Sequence, residues 1–197
     1  MPVASAPHRG PRLFIGLGVA VVCAAVVFLA TLVLDNGRAS RASEEVAREL
    51  ADRVGEIHDA GPDHDRAGEA LPLEQVGPYH YLGTLFIPSL GLELPVAVIC
   101  DDEHLRVSPC RYDGSYLTDD LMIMGEGYAG HFGSLGSVGI RDEVRFLAVD
   151  GGLHRYIVSN VETDDLEDIN AILDDWDLTL FTFNADGTCC VVRCVRA

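Results

Sequence analysis

The sequence predicts a mostly β protein: a closed β-barrel of about seven or eight strands with short helices, preceded by a transmembrane helix. Three observations predict this fold class. An uncharged run of 22 residues occupies positions 13–34. After about residue 80, short segments of strand-forming residues alternate with turn residues. So many short strands in fewer than 120 residues favour closure, because a closed barrel leaves no exposed strand edge.

The apolar run at 13–34, LFIGLGVAVVCAAVVFLATLVL, predicts a membrane span. At about 1.5 Å per residue it would extend roughly 33 Å, enough to cross the hydrocarbon core. Arg9 and Arg12 precede it and Asp35 follows it. Since positive flanks stay inside, residues 1–12 are expected in the cytoplasm and the rest outside the cell. A cleaved signal peptide is the alternative, but its apolar stretch is normally only about 7–15 residues.

The charge balance excludes one class of function. The 197 residues contain 14 Lys+Arg, all of them arginine, and 31 Asp+Glu, which gives a formal net charge of −17. All of the acidic residues follow the apolar run. Because nucleic-acid affinity depends on neutralising phosphates with cations, no nucleic-acid partner is expected.

Residues 35–79 predict an extracytoplasmic helix followed by a linker. A helix is expected over 40–60, with Ser43 as its N-cap. Its apolar face comprises Val46, Leu50, Val54 and Ile57. The segment 59–79 is rich in Asp, Gly and Pro, and it predicts a linker or extended cover without a stable element of its own.

Residues 80–197 predict the barrel domain. The expected strands are Tyr81–Ile87, Leu92–Ile99, Leu121–Met124, Glu143–Val149, His154–Val161, Leu178–Phe183 and Cys190–Val195. Short helices are expected near Asp102–Val107 and Leu166–Leu173. The dipeptide Asp150-Gly151 is typical of a hairpin turn.

Three segments of this domain carry a family resemblance. They are TLFIPSLGLELPV at Thr84–Val96, PCRYDGSYLTDDLMIMGEGYAGHFGSL at Pro109–Leu135, and DWDLTLFTFNADGTCCVVRC at Asp175–Cys194. The first resembles the opening I-P-x-L-x-L-x-L-P-V of the sortases, membrane-anchored cysteine transpeptidases of Gram-positive bacteria. The other two resemble motifs of a class B-like sortase branch: P-C-R-Y-x-G-S, G-H-N-Y-x-x-H-F-G-x-L, W-D-L-T-L-F-T-C-T and R-V-x-V-R-C.

The resemblance implies a transpeptidase mechanism. In the family, a cysteine attacks a threonine-containing peptide bond of a sorting signal and forms a thioacyl enzyme. A histidine transfers protons, and an arginine stabilises the oxyanion or the substrate. An amine from the cell wall or from a pilin then releases the product.

All three catalytic positions of the family are substituted in this chain. The histidine position falls on Glu126 and the cysteine position on Phe183. The arginine position falls on Cys189 or on Cys190, depending on the end from which the segment is aligned. Because Phe183 has no nucleophilic atom, no pKa shift could restore the family chemistry.

The remaining candidates for chemistry are His131, Cys190 and Arg193, together with Cys189 and Glu126. In the resembling family the catalytic residues lie at a surface groove. Consecutive strand residues alternate between faces, so either Cys189 or Cys190 could face that groove, and Arg193 shares the Cys189 face. A displaced nucleophile at either cysteine is therefore one hypothesis. The preferred interpretation is that His131 packs beside the groove, that Glu126 is a carboxylate at the groove edge, and that the thiols are buried.

The resemblance also implies a disulfide. Cys110 and Cys194 both match cysteines of the class B-like branch, so a bridge between them is the preferred pairing. Five cysteines follow the apolar run, so at least one of them cannot form an intramolecular bridge. The spacing of histidines and cysteines matches no metal motif, and no metal or cofactor is expected.

These observations lead to one functional hypothesis and two alternatives. The chain is expected to be a membrane-anchored, catalytically inactive sortase-like protein at the cell surface. Its expected partners are a sorting-signal peptide, a surface protein or pilin, or an active sortase. The first alternative is an active cysteine transpeptidase that uses Cys189 or Cys190 as a displaced nucleophile, and the second is a decaying copy with no present role.

Overall fold

The structure, a computed structural model, describes residues 22–27, 40–165, 176–184 and 186–197. The chain divides into two compact units, Met1–Gly37 and Arg38–Ala197. In the first unit, residues 22–27 are helical. None of the helices in the described ranges has the length and apolar character that a membrane crossing requires. Most of the expected span at 13–34 lies outside the described residues.

The second unit contains two α-helices, three 3₁₀ helices and ten strands within the described residues. Helix α1 spans 40–53 and α2 spans Asp102–Leu105. The 3₁₀ helices are His64–Arg66, Pro88–Leu90 and Phe132–Ser137. The strands are β1 His58–Asp59, β2 Glu74–Val76, β3 Tyr79–Ile87, β4 Leu92–Ala97, β5 Cys110–Asp113, β6 Leu121–Met124, β7 Glu143–Ala148, β8 Gly152–Asp164, β9 Leu178–Phe183 and β10 Cys189–Arg196.

Eight of these strands close into a barrel. The pairing runs β3-β4-β5-β6-β9-β10-β8-β7 and returns from β7 to β3. The pairs β4/β5 and β6/β9 are parallel, and the other pairs around the ring are antiparallel. Because every strand of the ring has two neighbours, the barrel has no open edge. The predicted closed β-barrel with few short helices is confirmed.

The sequence located most strands of the barrel closely but missed one. The predicted strands Leu121–Met124 and Leu178–Phe183 are found with the same bounds. Strand β5 was missed, because it is short and carries Arg111 and Asp113 among its four residues. The helix predicted over 40–60 ends at residue 53, two residues before Gly55.

Two further expectations concern less regular segments. The prediction that 59–79 has no element of its own is wrong in part, because a 3₁₀ helix and strand β2 form there. The helix predicted near Leu166–Leu173 lies outside the described residues.

The barrel wall separates an inner core from outer apolar clusters. Inside, residues such as Leu85, Ile123 and Leu180 are fully buried. Outside, helix α1 buries Leu50 in a cluster that contains Tyr81. A third cluster covers the outer face of β6, β9 and β10; it consists of Met122, Phe181, Cys189 and Val191.

The disulfide differs from the predicted one. Cys110 is bonded to Cys100, with 5.1 Å between the Cα atoms, and Cys194 is a free buried thiol. The preferred pairing of Cys110 with Cys194 is therefore wrong. The barrel wall gives the physical reason, since Cys110 belongs to an outer cluster and Cys194 to the inner core.

Candidate functional site

Two parallel strands, β6 and β9, place Glu126 and Phe183 at the same end of the barrel. Strands β6 and β9 pair in register, with Met124 opposite Phe181, and the Gly125 amide donates to the Phe181 carbonyl at 3.1 Å. Because parallel strands end at the same edge, Glu126 follows β6 close to where Phe183 ends β9. Glu126 is half-buried, and Phe183 keeps 38% of its surface exposed.

The register of β9 and β10 decides which cysteine shares the Phe183 face. Cys189 is the Cα partner of Phe183, and Cys190 is the partner of Thr182. Partners on adjacent antiparallel strands point to the same face of a sheet. Cys189 thus lies beside Phe183 in the outer cluster, whereas Cys190 lies in the inner core. Of the two cysteines that the sequence left open, Cys189 is the one that shares the face of Phe183.

A tight hairpin holds these two strands in register. The Asn184 amide donates to the Thr188 carbonyl at 2.7 Å, and the Asn184 side chain donates to the Thr188 hydroxyl at 2.8 Å. Gly187 has φ +91°, a left-handed conformation that suits glycine. Hydrogen bonds from the Thr188 hydroxyl and amide lower the pKa of Asp186. The turn therefore fixes Phe183 opposite Cys189.

A glycine-rich loop after β6 forms the second side of the site. The Phe132 amide donates to the Glu126 carbonyl at 3.1 Å, and the Phe132 ring lies against Gly125. A Cβ atom on Gly125 would lie 2.6 Å from that ring, so a side chain there could not be accommodated without movement. Gly127 passes beside the backbone of Phe183. This packing positions Glu126 over the end of β9.

The accessible surface of the site is aromatic. The Phe181 ring is contacted edge-on by Tyr112, with 5.2 Å between ring centroids, and by Phe183 at 6.2 Å. Both flanking rings are exposed, at 37% and 38%. We call Tyr112, Met124, Phe181, Phe183 and Cys189 the aromatic surface. Sequence analysis did not single out Tyr112, although Tyr112 is the tyrosine of the P-C-R-Y motif.

The thiols at the site are not activated. Burial, with a smaller effect of the neighbouring Cys190, raises the pKa of Cys189 to about 11, and burial also raises the pKa of Cys190. A nucleophilic cysteine needs the opposite shift, toward a thiolate at neutral pH. Both cysteines are therefore protonated thiols under physiological conditions.

Arg193 lies apart from the Phe183–Cys189 pair, whereas His131 belongs to the glycine-rich loop. The fully buried His131 stands between Gly130 and Gly133, and its ring centroid is 5.6 Å from that of Tyr128. Arg193 pairs with Thr179, four residues along β10 from Cys189, or about 13 Å at the usual strand rise. There its guanidinium lies 5.9 Å from the Trp176 ring, and its Nε is 3.7 Å from Glu162.

The architecture resembles solved structures of one family. Sortase C1 from Streptococcus agalactiae matches with 20% identity over 66% of this chain and 72% of that chain, at a TM-score of 0.55. Sortase C from Streptococcus pneumoniae matches with 17% identity over 83% and 88%, at 0.55. This chain has a sortase fold.

Other comparisons restrict the conclusion to the sortase fold itself. Sortase A from Corynebacterium diphtheriae, a lid mutant, matches with 17% identity over 82% of this chain and 93% of that chain, at a TM-score of 0.53. No family model and no curated protein matches the sequence. At such identities the likeness shows the fold alone. The class B-like assignment and the substitution of the three catalytic positions stay predictions.

Proposed function

We propose that this chain is a membrane-anchored sortase-fold protein of the Gram-positive cell surface that binds a sorting-signal peptide without cleaving it. It acts either by holding the peptide or by partnering an active sortase of the same cell. The resemblance to the class B-like branch belongs to this proposal. The observation that carries it is the pair Phe183–Cys189, an exposed aromatic ring beside a buried thiol.

The argument against catalysis is chemical. Phe183 offers no lone pair for attack, and Cys189 is held protonated by burial. Glu126 could move a proton only with a nucleophile to serve, and the resembling family requires that nucleophile at the end of β9. The aromatic surface therefore binds rather than reacts.

The argument for peptide binding is geometric. Tyr112 and Phe183 flank Phe181 and present two exposed rings on a rigid sheet. Aromatic side chains on a fixed scaffold give large contact area at small entropic cost, which suits the recognition of a peptide. The structure of Streptococcus pneumoniae sortase C bears on pilin substrate specificity, which supports a pilin or another surface protein as the source of that peptide.

Peptide binding and catalysis are separable in one experiment. The full chain, purified in detergent, is titrated into a fluorescent threonine-containing sorting-signal peptide, and anisotropy is measured. We expect saturable binding that Phe183→Ala weakens at least about fivefold, since central aromatic contacts dominate such interfaces. Ile140→Ala is the matched control, because Ile140 is 56% exposed and outside the aromatic surface. Equal affinities for both variants would contradict the proposal.

The same sample tests the displaced nucleophile. Mass spectrometry after incubation with peptide should find no thioacyl adduct on any cysteine. An adduct that Cys189→Ala or Cys190→Ala abolishes would favour the active transpeptidase. Absence of any saturable binding would favour the decaying copy.

A further inference from the structure

A cavity lies beside strand β5, and Arg111 and Asp113, on either side of Tyr112 in that strand, both line it. Strand β5 runs antiparallel to β6, and Asp113 pairs with Met122 near the start of β6, whereas Glu126 follows its end. Here a cavity of about 420 Å³ opens between β5, the loop that follows it and the segment 66–73. We call it the end cavity. Its volume lies in the range of small-molecule sites, about 300–1,000 Å³.

One part of the wall of the end cavity is aliphatic, and the rest is polar. Leu82 and Leu117 are buried members of the inner core, and they line the cavity. Leu71 and Val98 line it too and pack against the same core. The chain that covers this end is held by the Asp63 amide, which donates to the Leu117 carbonyl at 2.9 Å. The cavity thus offers an aliphatic surface on a fixed scaffold.

The carboxylates around the cavity are already engaged by donors of the protein. Asp120 accepts from the Ser115 amide at 2.8 Å and from the Thr118 hydroxyl at 2.5 Å. Asp113 accepts from the Gly114 amide at 2.8 Å. Glu69 pairs with Arg66 at 3.1 Å. These hydrogen bonds and this ion pair hold the polar side chains at the rim of the cavity in place.

Arg111 differs from the other arginines of the barrel. It is half-buried, because it sits opposite Ile123, a residue of the inner core. Its Nε donates to the Gly114 carbonyl at 2.5 Å, which fixes the guanidinium. Across the described ranges, each other arginine that is not exposed forms an ion pair, and Arg111 forms none; the paired ones are Arg66, Arg145, Arg193 and Arg196.

We propose that the end cavity binds a small aliphatic carboxylate. The ligand carboxylate pairs with the guanidinium of Arg111, and the alkyl chain lies against Leu82, Val98 and Leu117. A planar guanidinium suits a carboxylate because two parallel N–H···O bonds can form. The pairing also compensates the partly desolvated charge of Arg111. This site shares no residue with the aromatic surface, so it does not depend on the proposed function.

Nuclear magnetic resonance can test the site in the intact protein. The ¹⁵N-labelled full chain in detergent is titrated with hexanoate, and amide shifts are followed at Arg111, Gly114 and Val98. We expect saturable shifts there and none at Phe183. Arg111→Gln should weaken hexanoate at least about tenfold, because a charge-assisted pair is lost. The matched control is Arg106→Gln, an exposed arginine outside the cavity, which should leave the affinity within about twofold.

Two further measurements exclude misfolding of the variant and binding through the alkyl chain alone as explanations. Leu73 is 47% exposed and lines the cavity, so the variant Leu73→Glu should fold and should repel the ligand. Ile99 is 55% exposed and lies outside the cavity, so the control variant Ile99→Glu should fold and leave the affinity for hexanoate unchanged. Hexylamine and 1-hexanol should shift these amides much less than hexanoate. Equal binding of 1-hexanol, unchanged affinity in folded Arg111→Gln, or no saturable shift with hexanoate would each overturn the proposal.

Discussion

Phe183 and Cys189 are neighbours with opposite exposure, and this decides which substitution at the site is costly. The Phe183 ring is 38% exposed, so its removal by Phe183→Cys should cost less than the roughly 3–5 kcal/mol of a fully buried aromatic. Cys189 is fully buried against Phe181 and Met122. Placing arginine there forces a large charged side chain into a fully buried position, and such burial costs on the order of 3 kcal/mol or more.

We therefore expect Cys189→Arg alone to destabilise the fold strongly, and less so in the presence of Phe183→Cys. Loss of the ring opens space on the shared face, so the two changes should couple by about 0.5–3 kcal/mol, as residues in contact do. Urea unfolding of both single variants and of the double variant measures the coupling. Additive free energies of unfolding would show that the Phe183 ring does not block the Cys189 position.

His154 makes the stability depend on acid pH. It is 2% exposed, and Arg196 Nη1 donates to its Nδ1 at 3.2 Å, which requires an unprotonated nitrogen. Burial, and then the charge of Arg196, lower its pKa to about 4. Between about pH 6.5 and 4 the unfolded chain binds the extra proton, so stability falls as pH falls through this window. The full loss is on the order of 3 kcal/mol.

The variant His154→Gln should therefore show a smaller change of unfolding free energy between pH 7 and pH 4 than the parent. Urea unfolding at several pH values gives the slope, which is independent of any constant cost of the substitution. His80→Gln is the control, because His80 is exposed. Parallel pH profiles for the parent and His154→Gln would contradict the assignment.

At the scale of elements, the disulfide fastens the loop containing α2 to strand β5. Cys100 and Cys110 close a loop with a sequence separation of 10. Such a loop restricts the unfolded chain enough to stabilise the fold by roughly 2–3 kcal/mol. We expect reduction to lower the free energy of unfolding by this amount. The double variant Cys100→Ala, Cys110→Ala should be insensitive to reductant, and non-reducing peptide mapping should find a Cys100–Cys110 peptide. A Cys110–Cys194 peptide would contradict the structure.

Strand β5 also shows which parts of the fold the sequence could not predict. Strands β6 and β9 are dense runs of apolar and β-favouring residues, and their bounds were predicted correctly. Strand β5 is defined by its neighbours, since it pairs with β4 only at Cys110. Because β5 was not predicted, the role of Tyr112 and the outward direction of Cys110 could not be predicted either. Pairing of cysteines depends on which side of the barrel wall each lies, and a motif match does not carry that information.

For the whole molecule, closure of the barrel was predictable because many short strands must hide their edges. The positions of Glu126 and Phe183 at one end were not derivable from local pattern, since they depend on the parallel pairing of β6 and β9 across more than 50 residues. The family resemblance indicated that Glu126 and Phe183 belong to one site. Only the register of β10 showed that Cys189, and not Cys190, shares the face of Phe183. Charge is a whole-molecule property that the sequence does give directly, and it leads to the topology prediction.

The topology prediction rests on the asymmetry of charge about residues 13–34. Arg9 and Arg12 precede the apolar run, and all 31 acidic residues follow it. Since flanking arginines set orientation, the barrel should face outward. Protease added to intact cells should digest the chain beyond about residue 40 while an N-terminal tag is spared, and both should be digested after permeabilisation. Replacing Arg9 and Arg12 with Asp should reduce the accessible fraction, because the inside-positive flank is lost. Protection of the barrel in intact cells would show that the chain is oriented otherwise or is not exported.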